Sequence, residues 1–280
     1  MPPPSFPLLM KNNGMKQKII FCLLIFIVIN VSGHEFWIQP DKFIYKRGET
    51  TNIKFLVGEN FDGANWSGDR DKINNMSLYF DDVADKKLND DLGVNKGDSL
   101  QIAMLDEGTV MVTLNTKNSF IDLEAKKFNE YLREDGLTNA IDYREKNGDT
   151  IKNGLEYYQR SVKTIFQVGE KMTNVFKRKT ELPLDIIPAD NPYNVAKDGH
   201  FKVKVFFLGE KLKKARIRVW HKVDDKVTKQ EYTTDDNGEI KFFLSPEGEW
   251  MVSCVKMVRL ENDPKAEWQS YWGSLTWGYY

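Results

Sequence analysis

Phe201-Lys-Val-Lys-Val-Phe-Phe207 is the stretch on which the reading of the fold turns. Phe201, Val203, Val205 and Phe207 share one side of an extended chain, and Lys202 and Lys204 share the other. That period of two is the pattern of a strand with one buried face. Moving outward, Gly209-Glu210 turns the chain, and Ala215, Ile217 and Val219 repeat the alternation. Asp236-Asn237-Gly238 is a hairpin turn ahead of Ile240, Phe242 and Leu244. Trp250, Val252 and a last strand from Tyr271 to Tyr280 bring the total to about seven strands in roughly a hundred residues, the number expected of an immunoglobulin-like sandwich. Leu182-Pro183 and Asn191-Pro192 frame the way in, so a C-terminal domain over residues 182–280 is expected.

The same alternation recurs upstream in Phe43 and Tyr45, in Ile53, Phe55 and Val57, and in Met76, Leu78 and Phe80. It returns in Leu100, Ile102 and Met104 and in Val110, Val112 and Leu114. A second β-sandwich over residues 34–181 follows, with a polar loop carrying Gly63 and Gly68 from Gly58 to Asn75. Residues 119–168 depart from this pattern. Phe128, Tyr131 and Leu132 fall at helical spacing, with Asp122 placed to cap the start and Gly136 the end. A second helical stretch runs from about Thr138 to Glu145. Leu155, Tyr158, Val162 and Ile165 keep helical spacing, although Thr164–Val168 reads equally well as a strand. The fold class is mainly β: two β-sandwich domains with a helical insertion.

Ahead of these domains, Lys11, Lys16 and Lys18 precede an uncharged apolar run from Ile19 to Val31. The run suits a secretory h-region and is too short to span a bilayer as a helix. Val31-Ser32-Gly33 supplies the small residues a signal peptidase needs. Residues 1–33 are therefore expected to be a signal peptide with upstream residues, Met15 being a candidate start. The mature chain would begin at His34, in the periplasm or at the cell surface, with no stable membrane span. Cys22 lacks the small residues that precede a lipid-modified cysteine. Cleavage would leave Cys254 alone among apolar neighbours, a buried hydrophobe with no disulfide partner.

Forty basic residues against forty-one acidic ones leave a net charge of −1, which provides no field for nucleic acid. The sequence has no GxSxG elbow, P-loop, HExxH or CxxC pair, so no catalytic or cofactor-binding residue is assigned and the chain does not read as an enzyme. Aligning Gly238 with the sixth position of a calcium loop puts Leu244 where an acidic ligand is required, which leaves the hairpin turn. Of the three histidines, His200 opens a strand on its lysine-bearing side. His221 continues the face of Ile217 and Val219, either as a core-edge residue satisfied by a carbonyl or as a ligand. His34 differs from both. As the first mature residue it would offer an α-amine, whose pKa is about 8, and Nδ1 to the same ion. Such nitrogen donors suit nickel, copper and zinc.

His34-Glu-Phe-Trp-Ile38 directly after a signal peptide resembles the opening of the DUF4198 family, exported proteins described as periplasmic components of nickel or cobalt uptake. The likeness continues through Phe128-Asn-Glu-Tyr-Leu-Arg-Glu-Asp-Gly136, Leu182-Pro-Leu-Asp-Ile-Ile-Pro188, Thr234-Asp-Asp-Asn-Gly238 and Glu267-Trp-Gln-Ser-Tyr-Trp272. It implies an exported β-sandwich protein that handles a divalent transition metal (nickel, cobalt or copper) beside a membrane metal transporter. His34 matches the family position and is the primary metal ligand this implies. His221, Glu35 and Glu267 are further candidates. One departure stands out: where the family often carries His-Met, this chain reads Lys256-Met257, and a protonated lysine is no substitute for an imidazole. The alternative is a structural or adhesive module that binds a protein or glycan through stacking surfaces on Trp66, Trp220, Trp268, Trp272 and Trp277. Oligomeric state is not legible.

Overall fold

A computed structural model describes residues 34–66, 70–81, 85–89, 99–195 and 199–280. The expected signal peptide and Gly68 lie outside the described residues. The described strands form three sheets. The first holds β1 (Glu35–Pro40), β3 (Thr50–Glu59), β4 (Asp62–Asn65) and β7 (Ser99–Ala103). The central sheet runs in the order β15 (Lys226–Thr233), β14 (Arg216–Val223), β17 (Glu249–Arg259), β18 (Trp268–Gly278), β10 (Gly154–Val168), β8 (Gly108–Thr116), β5 (Ile73–Tyr79) and β6 (Lys86–Lys87). Short strands β2 (Ile44–Tyr45) and β9 (Ser119–Leu123) pair with opposite ends of β10. The third sheet holds β11 (Leu184–Pro188), β12 (His200–Phe207), β13 (Glu210–Lys211) and β16 (Glu239–Phe243).

Alternation explains how one sheet serves two cores. On β8, Val110, Val112 and Leu114 face the first sheet and pack with Phe36, Ile38, Ile53 and Phe55. Met111, between them, joins the opposite core with Phe201, Val203, Val205, Ile217, Val219, Val252 and Leu275. The first and third sheets thus cover opposite faces of the central one, giving two sandwiches on a shared sheet. The lysine-backed stretch behaves as its pattern predicts: Phe201, Val203 and Val205 are buried and Lys202 is exposed.

β18 meets its neighbours with small hydroxyls. Ser274 Oγ donates to Phe36 O at 2.8 Å and Thr276 Oγ1 to Ile38 O at 2.8 Å, binding β1 to the central sheet. Each such bond contributes about 1 kcal/mol net. The expected boundary at residue 182 does not coincide with a break in this sheet. β10 pairs in parallel with β18 from Glu156↔Trp268 to Thr164↔Thr276, and the described residues hold together as one compact unit.

The insertion contains α1 (Ala125–Glu134) and α2 (Thr138–Asn147). Phe128, Tyr131, Leu132, Leu137 and Ala140 pack against Val255, Met257 and Trp268. Gly136, at φ +67°, ends α1: its own N–H reaches Arg133 O and that of Leu137 reaches Leu132 O. Asp122 does not cap the helix; it accepts from Asn153 Nδ2 at 2.9 Å and so pins the insertion's two ends together. Leu155, Tyr158, Val162 and Ile165 lie on a strand, not a helix. Ser161–Val168 are buried on both faces, which erases the alternation that marks a strand. The expected loop from Gly58 onward is partly sheet. A turn at Asn60-Phe61, both with positive φ, returns β4 onto β3.

Candidate functional site

His34 is the first described residue and enters β1. The register Glu35↔Gly58 brings it beside the end of β3, where its Nδ1 lies 3.6 Å from Glu59 Oε1. Both side chains are about two-fifths exposed, at 44% and 39%. Behind them, Arg160 donates from Nη1 to His34 O at 3.2 Å, with its guanidinium over the Phe36 ring at 5.0 Å. The imidazole faces a shallow recess of about 440 Å³ that also includes Glu59 and Asp62.

Successive residues of a strand point to opposite sides, so Glu35 does not join His34. It is buried in a second hollow of about 380 Å³, bordered by Glu59, Asp135, Arg218, Trp220 and Glu231. Arg218, the third residue of β14, organises this cleft. Its Nη1 contacts Asp135 and lies 3.6 Å from Glu35 Oε1, while its Nε is 3.8 Å from Glu231 Oε1. Its Nη2 donates to Glu134 O at 2.6 Å, and Arg216 Nη1 adds bonds to Glu134 O at 2.7 Å and Arg133 O at 3.2 Å. Two guanidiniums thereby satisfy the last carbonyls of α1 and place positive charge at the negative end of its dipole.

Burial raises the Glu35 carboxyl from an ordinary 4.5 to about 7, against the opposing pull of Arg218. Burial also raises Asp135, again opposed by Arg218. The hollow is lined by five acidic residues (Glu35, Glu59, Glu134, Asp135, Glu231) and three cations (Arg216, Arg218, Lys229). Another raised carboxyl, Glu156, lies under the helices. Burial lifts it to about 7 although it accepts hydrogen bonds from Ser270 Oγ and, at 3.2 Å, from Tyr131 OH.

The four residues singled out as metal ligands do not converge. His221 stacks on Trp250, with ring centroids 3.8 Å apart, and its Nε2 lies 3.0 Å from Glu247 O, the core-edge arrangement. Glu267 lies 4.0 Å from Arg259 Nη2 just ahead of β18. Glu35 belongs to Arg218. Among the described residues, no group of three or more His, Cys, Asp and Glu side chains is placed to hold a metal ion. The partner the structure gives His34 is Glu59. Sequence reasoning missed it because only the pairing of β1 with β3 makes the two neighbours.

Cys254 is buried, and desolvation pushes its thiol up to about 12, so it is no nucleophile. Trp220, Trp268 and Trp277 are buried, while Trp66 packs edge-on against Phe36 and Trp272 stacks with Tyr131. Three of the five tryptophans thus lie in the interior, and Trp66 and Trp272 are half-buried against it. Among the described residues, no helix is long and apolar enough to cross a membrane.

Fold and site together define a mainly β protein of three stacked sheets, with a charged cleft where a helical hairpin meets an outer strand. The model of a domain of unknown function, DUF4198, matches residues 31–257, and the chain belongs to that family. No curated protein matches the sequence. Among solved structures it is similar to a point mutant of Salmonella alpha-2-macroglobulin, at 12% identity and a TM-score of 0.24, over 89% of this chain and 15% of that one. It is also similar to fibronectin(III)-like modules of Clostridium thermocellum CbhA, at 11% identity and a TM-score of 0.19, over 85% of this chain and 93% of that one. A DUF4785 family protein of Legionella pneumophila gives 9% identity and a TM-score of 0.23, over 77% of this chain and 50% of that one. The chain thus spans only a small part of the macroglobulin's length.

Proposed function

We propose that this chain is an exported binding or accessory protein for a divalent transition metal (nickel, cobalt or copper), serving a membrane metal transporter from the periplasm or cell surface. The observation that carries the reading is the approach of His34 Nδ1 to Glu59 at 3.6 Å in an open recess. Processing after Gly33 would add the α-amine of His34. Amine and imidazole nitrogens then chelate the ion from one residue, and Glu59 supplies a charged oxygen. The metal is cargo, and an exposed site with open coordination positions suits an ion that must be handed on. The existing His34–Glu59 contact contributes at most about 1 kcal/mol at this exposure, so a metal displaces it readily.

The test is titration calorimetry of exported protein, its N-terminus first established by sequencing, with nickel, cobalt and copper. His34→Ala is expected to weaken binding at least a hundredfold and Glu59→Gln about tenfold. Equal affinity in wild type and His34→Ala, or a mature chain starting elsewhere than His34, removes this site from the account.

A further inference from the structure

A sheet's outer strands carry unpaired backbone groups, and folded proteins blunt them. Several edges here are blunted. β6 is two lysines long, β11 is buried throughout and ends in Pro188, and β1 lies under the hydroxyls of β18. Of the remaining edges (β4, β7, β13, β16 and β15), β15 is the longest. It is eight residues long and exposed except at Val227 and Tyr232, and it contains no proline. It pairs without a bulge from Arg216↔Thr233 to Val223↔Lys226, and among the described residues no strand pairs with its other side.

The direction of its backbone groups follows from its neighbours. Thr234 N donates inward to Ala215 O, and at the other end Lys226 closes a two-residue turn opposite Val223. Even-numbered residues therefore bond to β14, and Val227, Lys229, Glu231 and Thr233 present N–H and C=O outward. A second β15 related by a two-fold axis must set outward-facing residues opposite one another. Placing Lys229 opposite Lys229, or Glu231 opposite Glu231, opposes like charges. The register between these sets Lys229 opposite Glu231 twice, Val227 opposite Thr233, and Gln230 on the axis.

We propose that two copies of this chain pair antiparallel along β15, with Lys229 of each copy opposite Glu231 of the other. Within one chain these side chains lie 3.5 Å apart and are 42% and 43% exposed, and Glu231 also lies 3.9 Å from Arg216 Nε and 3.8 Å from Arg218 Nε. Contacts this long at this exposure are weak, so the intermolecular one replaces them at little cost. Both line the charged cleft, so the two clefts would adjoin across the axis.

Sedimentation velocity on the full exported chain over a range of concentrations tests the pairing. Wild type is expected to dimerise. Lys229→Glu sets carboxylates against carboxylates and Glu231→Lys sets ammoniums against ammoniums, and each alone should raise the dissociation constant at least tenfold. Mixing the two variants makes every opposing pair unlike and should restore the dimer. A monomeric wild type, single variants that dimerise as tightly as wild type, or a mixture of folded variants that stays monomeric overturns the proposal. Amide exchange in wild type gives a check that needs no variant. The outward amides of Lys229 and Glu231 should exchange more slowly as protein concentration rises, and concentration-independent exchange there also overturns it.

Discussion

Arg218 holds the side chain of Asp135 with one arm of its guanidinium and the carbonyl of Glu134 with the other, tying the end of α1 to β14. Neither residue is legible as a partner of the other in a sequence that separates them by more than eighty positions.

Removing the cation takes from the buried Asp135 carboxylate its direct partner and withdraws the charge that opposes protonation of Glu35. Arg218→Ala is expected to lower unfolding free energy by about 3–5 kcal/mol. Arg218→Lys should recover only part of this, because one ammonium cannot serve a carboxylate and a carbonyl in the fork geometry of a guanidinium. Urea denaturation measures both, and a loss under about 1 kcal/mol for the alanine variant would show that the tie is not structural.

Glu35 and Glu156 are both raised to about 7 by burial. The folded state holds these protons more tightly than the unfolded chain, so the neutral form is the stabilising one. For these two groups, stability is greatest below about pH 4.5, declines as pH rises through about 7, and then levels. The full difference is about 3 kcal/mol per carboxyl. Glu156→Gln, which keeps an acceptor for Tyr131 and Ser270, should flatten the decline between about pH 5 and 8. Denaturant midpoints across that range provide the measurement, and an unchanged slope would sink the assignment.

Gly154 begins β10 directly under the Phe128 ring, and a Cβ there would lie 2.1 Å from a ring carbon. Gly154→Ala is expected to destabilise by about 2–3 kcal/mol through forced displacement of α1. Phe128→Leu on top of it should cost less than the two separate losses combined, a coupling that a double-mutant cycle reads directly.

Calorimetric and van't Hoff enthalpies should agree for residues 34–280, because the two sandwiches share β10 and β18. Two resolved transitions would instead restore a boundary near residue 182.

Strands with one wet face were legible from the alternation alone. Phe201–Phe207 and Ile240–Leu244 are examples, and the turn between Thr234 and Glu239 matches its composition, with Asp235 accepting the Asn237 and Glu239 amides at 2.8 Å. β10 was not legible because burial on both faces replaced alternation with a run that also fits helical spacing. The cleft was hidden for a different reason. Arg216 and Arg218 alternate with Ile217 and Val219 like any solvated face of a strand, and nothing local reveals that a helix end covers them. The available signal was Gly136, which marks a helix terminus whose carbonyls need donors. His34 was singled out from the sequence, but Glu59 required the β1–β3 register.

β18 follows every other described strand yet sits between β17 and β10, in the middle of the widest sheet. It is a keystone delivered after the strands it joins. Until Trp268–Gly278 emerge, the flanks of β17 and β10 have no strand between them and β1 has no hydroxyls to rest on. Assembly must then wait on contacts between remote parts of the chain, which slows folding. A chain interrupted ahead of Trp268 would leave β17 and β10 with no strand between them, ready prey for proteases.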